Sequence, residues 1–67
     1  MTNQRSIEAE ACYSRGVHKY FRKKNFVEAI ADLTKAIELM PDYKEAISYR
    51  DVAIIRLNAK REKIKQS

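Results

Sequence analysis

The sequence of 67 residues contains one cysteine, one histidine, one glycine, one proline and no tryptophan. A single cysteine excludes an internal disulfide, and one histidine beside it excludes a zinc site with the usual four nitrogen or sulfur ligands from one chain. So little glycine and proline leaves no flexible linker and no low-complexity segment. We therefore expect a single, nearly all-helical domain over residues 1–67 with no cofactor.

Long apolar runs are also missing. No stretch approaches the roughly 20 apolar residues that a membrane-spanning helix needs. The opening MTNQRSIEAEA has no apolar segment after its charge, as a secretory signal would. We therefore expect no membrane span and a cytoplasmic location. Because a core this small rarely contributes more than about 3–5 kcal/mol, we expect stability to depend on regular helix packing or self-association.

The formal net charge of +5 comes from two basic runs. They supply a candidate basic patch of Arg22, Lys23, Lys24, Lys60, Arg61 and Lys63. Each run is expected near a helix C-terminus, where cations complement the helix dipole and stay solvated. No aromatic residues interleave with the second run to stack on bases, which disfavours nucleic acid. A basic adaptor for nucleic acid or an anionic surface remains an alternative function.

Apolar residues at three- and four-residue spacing predict the first helix, from about Thr2–Ser6 to Lys23. Its predicted apolar stripe consists of Tyr13, Gly16, Val17, Tyr20 and Phe21, with Ile7 extending it. Cys12 and His18 are six positions apart, about 600° around a helix, so they do not share a face. The sequence therefore gives no nucleophilic Cys–His pair.

Two further helices follow from their start and stop signals. Asn25 and Glu28 have the spacing of a capping box that opens the second helix. Pro41 disfavours a helical conformation at Met40, so this helix is expected to stop just before Met40. Asp42 repeats the cap-and-acid spacing for a third helix, which meets no glycine or proline afterwards.

Short turns make consecutive helices antiparallel neighbours. Ala29 and Ala36 lie at facing positions on the second helix and would let the first two helices approach closely. Larger residues there would hold the helix axes apart.

One spaced set of aromatic, small and apolar positions spans the first two helices: Tyr13, Gly16-Val17, Tyr20, Ala29, Leu33, Ala36 and Pro41. With these positions, residues 10–43 resemble one tetratricopeptide repeat, a helix hairpin of 34 residues. The usual order is leucine then glycine, whereas here Gly16 precedes Val17, which is expected to adjust the helix crossing. Moving the frame by one position to align the glycine would place Arg15 and Lys19 in the core, at a large cost.

Residues 42–65 resemble the first helix of a next repeat without its partner, as in the family's capping helix. The resemblance implies an all-α fold, an antiparallel hairpin of one repeat with a third capping helix in a right-handed arrangement. Arg50 and Asp51 fall where a further helix would pack, and their polarity fits exposure to water. A fragment of a longer repeat protein would have the same pattern.

The family binds partner segments in a groove formed by its first helices. Carried over by position, the groove is expected to contain Ser14, His18, Phe21, Ser48, Val52 and Ile55. The family's carboxylate clamp for chaperone C-termini uses a lysine and two asparagines. Those positions hold Ser14, His18 and Tyr49 here, so chaperone-tail binding is not implied.

The acidic residues are accounted for by helix caps and helix surfaces, and no catalytic, cofactor or metal site is expected. We expect a non-catalytic protein–protein interaction or scaffold module, not an enzyme. Self-association, as a homodimer through the third helix and the groove, is expected because that helix has more apolar residues than one side of the hairpin can cover. These residues are Val52, Ile54, Ile55, Leu57 and Ile64. A three-helix microtubule-interacting-and-trafficking-type domain is a further alternative, although the Met40-Pro41 stop does not mark that family.

Overall fold

The computed structural model describes the backbone of residues 4–66 and the side chains of residues 6–60. In this part of the chain, α1 spans Gln4–His18 and continues through a wide π-helical turn, Lys19–Lys23. The second helix, α2, spans Phe26–Leu39, and the third, α3, spans Lys44–Gln66. The all-α, three-helix fold expected from the sequence is confirmed. The predicted start at Thr2 and the side chains of Arg61, Lys63 and Ile64 lie outside the described residues.

The turn between α1 and α2 is held by backbone hydrogen bonds to one carbonyl. The N–H groups of Lys24 and Asn25 both donate to the Lys19 carbonyl, and Lys24 adopts a left-handed conformation with φ of 53°. Asn25 Oδ1 accepts from the Glu28 N–H at 3.2 Å, which confirms the predicted cap. A capping box also requires the Glu28 side chain to accept from the Asn25 N–H, and this part of the prediction is wrong. The Asn25 N–H donates to the Lys19 carbonyl instead, and the Glu28 carboxylate contacts Lys19 Nζ at 3.2 Å.

The stop after α2 follows from the proline. Met40 is extended, with φ of −137° and ψ of 91°, as expected for a residue before Pro41. The predicted cap at Asp42 is wrong, because α3 begins at Lys44 and Tyr43 is the residue that precedes it. The Tyr43 N–H donates to the Met40 carbonyl at 3.0 Å and closes the intervening turn.

Helix α2 lies between α1 and α3 and packs against both. One core cluster joins Ala9 and Cys12 of α1 to Leu33 and Ala36 of α2 and to Ala46 of α3. A second cluster joins Tyr20, Ala29 and Ala53. Cys12 clusters with Ala36 and Ala46, whereas Tyr20, further along α1, clusters with Ala29 and Ala53. Helices α1 and α2 are therefore antiparallel, and α1 runs parallel to α3.

The α1–α2 interface is built from small residues. Ala29, Leu33 and Ala36 are fully buried, in agreement with the predicted role of the two alanines. A Cβ added at Gly16 would lie 2.7 Å from Leu33 Cγ and 3.2 Å from the Ala29 carbonyl oxygen. Only glycine fits at this closest approach without a shift of its neighbours.

The buried centre of α1 differs from the predicted stripe. It runs through Ala9, Cys12, Gly16 and Tyr20, while Tyr13 and Val17 are half-buried beside it. Phe21 and Ile7 are 54% and 48% exposed, so their assignment to the buried stripe is wrong. The small residues Cys12 and Gly16 pack against α2, which covers them, whereas Phe21 and Ile7 lie toward edges of α1 that are incompletely covered.

None of the helices in the described part of the chain is long and apolar enough to cross a lipid bilayer.

Candidate functional site

Aromatic side chains join α1 to α3 and form the base of a groove between them. The Tyr49 ring of α3 lies 5.9 Å from Tyr13, 6.1 Å from Tyr20 and 5.8 Å from Phe21, each in an edge-to-face arrangement. Tyr13 also packs against Tyr43 at 5.1 Å. Aromatic pairs at these distances are favourable beyond their buried area, so the groove has an ordered aromatic base.

A pocket of about 400 Å³ opens at one end of this groove. It is lined by Tyr20, Phe21, Lys24, Phe26, Ser48, Tyr49, Val52 and Arg56. Five of these side chains are aromatic or aliphatic, two are cationic and none is acidic. An apolar wall with a few polar groups is the composition typical of binding pockets, and Lys24 and Arg56 give this one two cationic side chains.

The structure brings together only part of the groove predicted from the sequence. Phe21, Ser48 and Val52 line the pocket. Ser14, His18 and Ile55 are exposed but do not line it, and Ile55 is 65% exposed.

Five pocket residues were not in the predicted groove: Tyr20, Lys24, Phe26, Tyr49 and Arg56. Arg56 carried a usable signal, since it follows Val52 by four positions and so lies on the same side of α3. Phe26 carried none, because its contribution depends on how α2 enters after the left-handed residue Lys24.

The predicted basic patch divides in the structure. Arg22, Lys23, Lys24 and Lys60 are exposed, and of these only Lys24 lines the pocket. The Arg56 guanidinium lies 6.0 Å from the centroid of the Tyr20 ring, at the outer limit of a cation–π contact.

Neither cation at the pocket has an acidic partner in the described part of the chain. The ion pairs there involve Arg15, Lys19 and Arg50. Lys24 and Arg56 therefore give this end of the groove uncompensated positive charge.

The opposite end of the groove is acidic. Burial, and then the charge of Glu10, raise the pKa of Tyr43 above its usual value. Burial, then Tyr49 and Glu45, raise the pKa of Tyr13 in the same direction. Both glutamates are exposed, so two acidic side chains lie near the Tyr13–Tyr43 pair at this end of the groove.

A separate ion-pair network joins α1 to α2. Lys19 Nζ lies 3.0 Å from Asp32 Oδ2 and 3.2 Å from the Glu28 carboxylate, and these hydrogen bonds, that to Asp32 first, raise the pKa of Lys19. The Lys19 side chain is 28% exposed and that of Asp32 17% exposed. Because a half-buried carboxylate needs a compensating charge, this network has a structural role in holding the two helices together.

Cys12 is 5% exposed, and its sulfur accepts a hydrogen bond from Arg15 Nη2 at 3.4 Å. Among the described residues, no three histidine, cysteine or carboxylate side chains are grouped so that they could hold a metal ion.

No protein-family model, curated protein or solved structure matches this chain. Assignment of the helix hairpin to the tetratricopeptide family stays a prediction that rests on the residues of positions 10–43.

Proposed function

We propose that this chain is a non-catalytic protein–protein interaction module of the tetratricopeptide type that acts by self-association through the groove between α1 and α3. The observation that carries the proposal is the open, mainly apolar pocket beside Tyr49, together with apolar side chains that α3 exposes next to it. Val52 is 41% exposed and Ile55 65% exposed. Apolar surface of this kind on a small protein is typical of an interaction site.

The size of the chain supports the same proposal. A domain of this length buries only roughly 60% of the surface that its unfolded chain exposes. The fully buried positions are mostly alanines, and Leu33 is the only large side chain that is fully buried among the described residues. Burial of the exposed α3 residues against a second copy would add to a core that is small in the isolated chain.

The test is the molar mass of the protein in solution, measured by sedimentation equilibrium from low to high micromolar concentration. We expect a dimer for the wild-type chain and a shift toward monomer for Ile55→Glu, with helicity in circular dichroism largely retained. Val27→Glu is the matched control, because Val27 is 61% exposed on α2 and lies outside the pocket. A wild-type chain that stays monomeric at high micromolar concentration contradicts self-association.

A second candidate function, binding to an anionic surface or to nucleic acid, is favoured by one observation. Lys24 and Arg56 lie together at the pocket without acidic partners among the described side chains. Affinity for such a ligand would fall steeply with salt. The apolar lining between the two cations favours a protein partner instead, because a solvated basic patch binds through its charge and does not need to bury apolar surface.

A further inference from the structure

We infer that two copies of this chain pair antiparallel about a two-fold axis, with α3 of each copy in the α1–α3 groove of the other and Glu45 of each copy against Arg56 of the other. The inference rests on the proposed self-association and specifies its geometry. It follows from the order of charged and apolar residues along the groove face of α3, which we define as Glu45, Ser48, Tyr49, Val52 and Arg56.

Helical geometry places the two charges on the same side of α3. Glu45 and Arg56 are eleven positions apart, which at about 100° per residue is three turns plus roughly 20°. The rise between them is about 16.5 Å at 1.5 Å per residue. The groove face is therefore a stripe with a negative end and a positive end, about three turns apart.

The stripe is complementary to itself when reversed. The midpoint between Glu45 and Arg56 falls between residues 50 and 51, and the midpoint between Tyr49 and Val52 falls at the same place. A two-fold axis through this point sets Glu45 opposite Arg56 and Tyr49 opposite Val52, twice each. Closed two-fold dimers require this kind of self-complementary surface.

Charges contributed by α1 and by the turn before α2 strengthen the same polarity. Glu10 lies near Tyr43 at the acidic end, where its charge contributes to the raised pKa of that tyrosine. Lys24 lines the pocket with Arg56 at the basic end. A parallel pairing would bring like charges together at both ends, whereas the antiparallel pairing brings opposite charges together.

The apolar residues near the axis also find partners in this arrangement. Val52 is 41% exposed and borders a pocket of about 400 Å³ lined by Tyr20 and Phe21. In the antiparallel pair, Val52 of the second copy lies over Tyr49 at the same level of the groove. Water is then displaced from apolar surface on both copies, which is the main favourable term in association.

Charge reversal distinguishes this arrangement from any other dimer. We would measure the dimer dissociation constant by sedimentation equilibrium at low salt for Glu45→Lys, for Arg56→Glu and for the chain that carries both. Each single variant places like charges together at two symmetric contacts, and we expect it to raise the dissociation constant about tenfold. The doubly reversed chain restores opposite charges and is expected to return close to the wild-type value.

Glu38→Lys is the control for Glu45→Lys, because Glu38 is exposed on α2 outside the pocket and its substitution makes the same change in net charge; it is expected to leave the dimer unchanged. The antiparallel pairing is wrong if neither single reversal changes the dissociation constant, or if the doubly reversed chain does not recover the affinity that the single variants lose. Either result is still compatible with self-association. A wild-type chain that never dimerises overturns both.

Discussion

The two sides of α1 are packed in opposite ways. Toward α2, Gly16 and Ala29 bring the backbones so close that a single added Cβ would meet Leu33 Cγ at 2.7 Å. Toward α3, the contacts are edge-to-face aromatic rings around Tyr49, with centroids 5.8–6.1 Å apart, and a pocket opens beside them. Small residues let one pair of helices close, whereas large aromatic residues hold the other pair apart.

The same contrast is found in the charges of the α1–α2 interface and of the α1–α3 groove. The α1–α2 interface also contains the ion pairs of Lys19 with Glu28 and Asp32, so the charge of Lys19 is compensated within the chain. The α1–α3 groove keeps Lys24 and Arg56 without acidic partners in the described part of the chain. We therefore expect a larger side chain to lower the free energy of unfolding strongly at the α1–α2 interface and only slightly on the exposed surface outside it.

The largest effect is expected for Ala29→Leu. Ala29 is fully buried against α1, and overpacking of a close helix contact costs roughly 1–3 kcal/mol, a large part of the few kcal/mol available to so small a domain. Urea unfolding followed by circular dichroism measures the loss. Ala31→Leu is the control, because Ala31 is exposed on the same helix. Equal midpoints for the two variants would show that the interface is not tightly closed.

A smaller loss is expected for Gly16→Ala. Alanine is favoured over glycine inside a helix by about 1 kcal/mol, but overpacking at this site costs roughly 1–3 kcal/mol, because the new Cβ meets Leu33 Cγ and the Ala29 carbonyl. We expect a net destabilisation of about 1 kcal/mol in urea unfolding.

A double-mutant cycle identifies the contact responsible. In a Leu33→Ala background most of the clash is removed, so Gly16→Ala should be neutral or stabilising there. Stabilisation by Gly16→Ala in the wild-type background would mean that α1 and α2 can accommodate an added methyl group without a clash.

Residues whose effect is local could be predicted from the sequence. Asn25 caps α2, Met40 is extended before Pro41, and Ala29 and Ala36 are buried, each as predicted. These outcomes depend on the backbone of one or two residues or on side-chain size, which the sequence states directly.

Residues whose role depends on a neighbouring helix were harder to predict. Phe21 fits the apolar spacing of α1 but is 54% exposed, since only part of that helix is covered. Lys19 looked unsuited to a packed interface, yet its side chain is only 28% exposed and its ammonium lies 3.0 Å from Asp32 Oδ2. The pocket combines Phe26, Tyr49 and Arg56 from two helices, and no spacing within one segment encodes that meeting.

The smallest effect is expected in alkaline solution, where ionisable side chains on both sides of α1 lose their protons. The pKa of Tyr13 and that of Tyr43 are raised above 10.0, in both cases mainly by burial, and that of Lys19 is raised above 10.5, first by its hydrogen bond to Asp32. A group whose pKa is higher in the folded state contributes stability that is complete below its unfolded pKa and is lost as the pH rises through the folded value. The free energy of unfolding should therefore be flat up to about pH 9 and fall above about pH 10.

Two variants assign this alkaline loss to one interface or the other. Tyr43→Phe removes a titrating group of the α1–α3 groove, and Lys19→Met removes the titrating group of the α1–α2 network. Urea midpoints measured for each across the alkaline range should fall less steeply than those of the wild type, since each variant lacks one of the groups that bind a proton more tightly in the folded chain. A slope changed only by Lys19→Met would place the whole pH dependence at the closed interface and show that the tyrosines of the groove are as well solvated in the folded chain as in the unfolded one. Stability that increased above about pH 10 would contradict the assigned direction of all three shifts, because only groups with lowered pKa values stabilise a fold as protons leave.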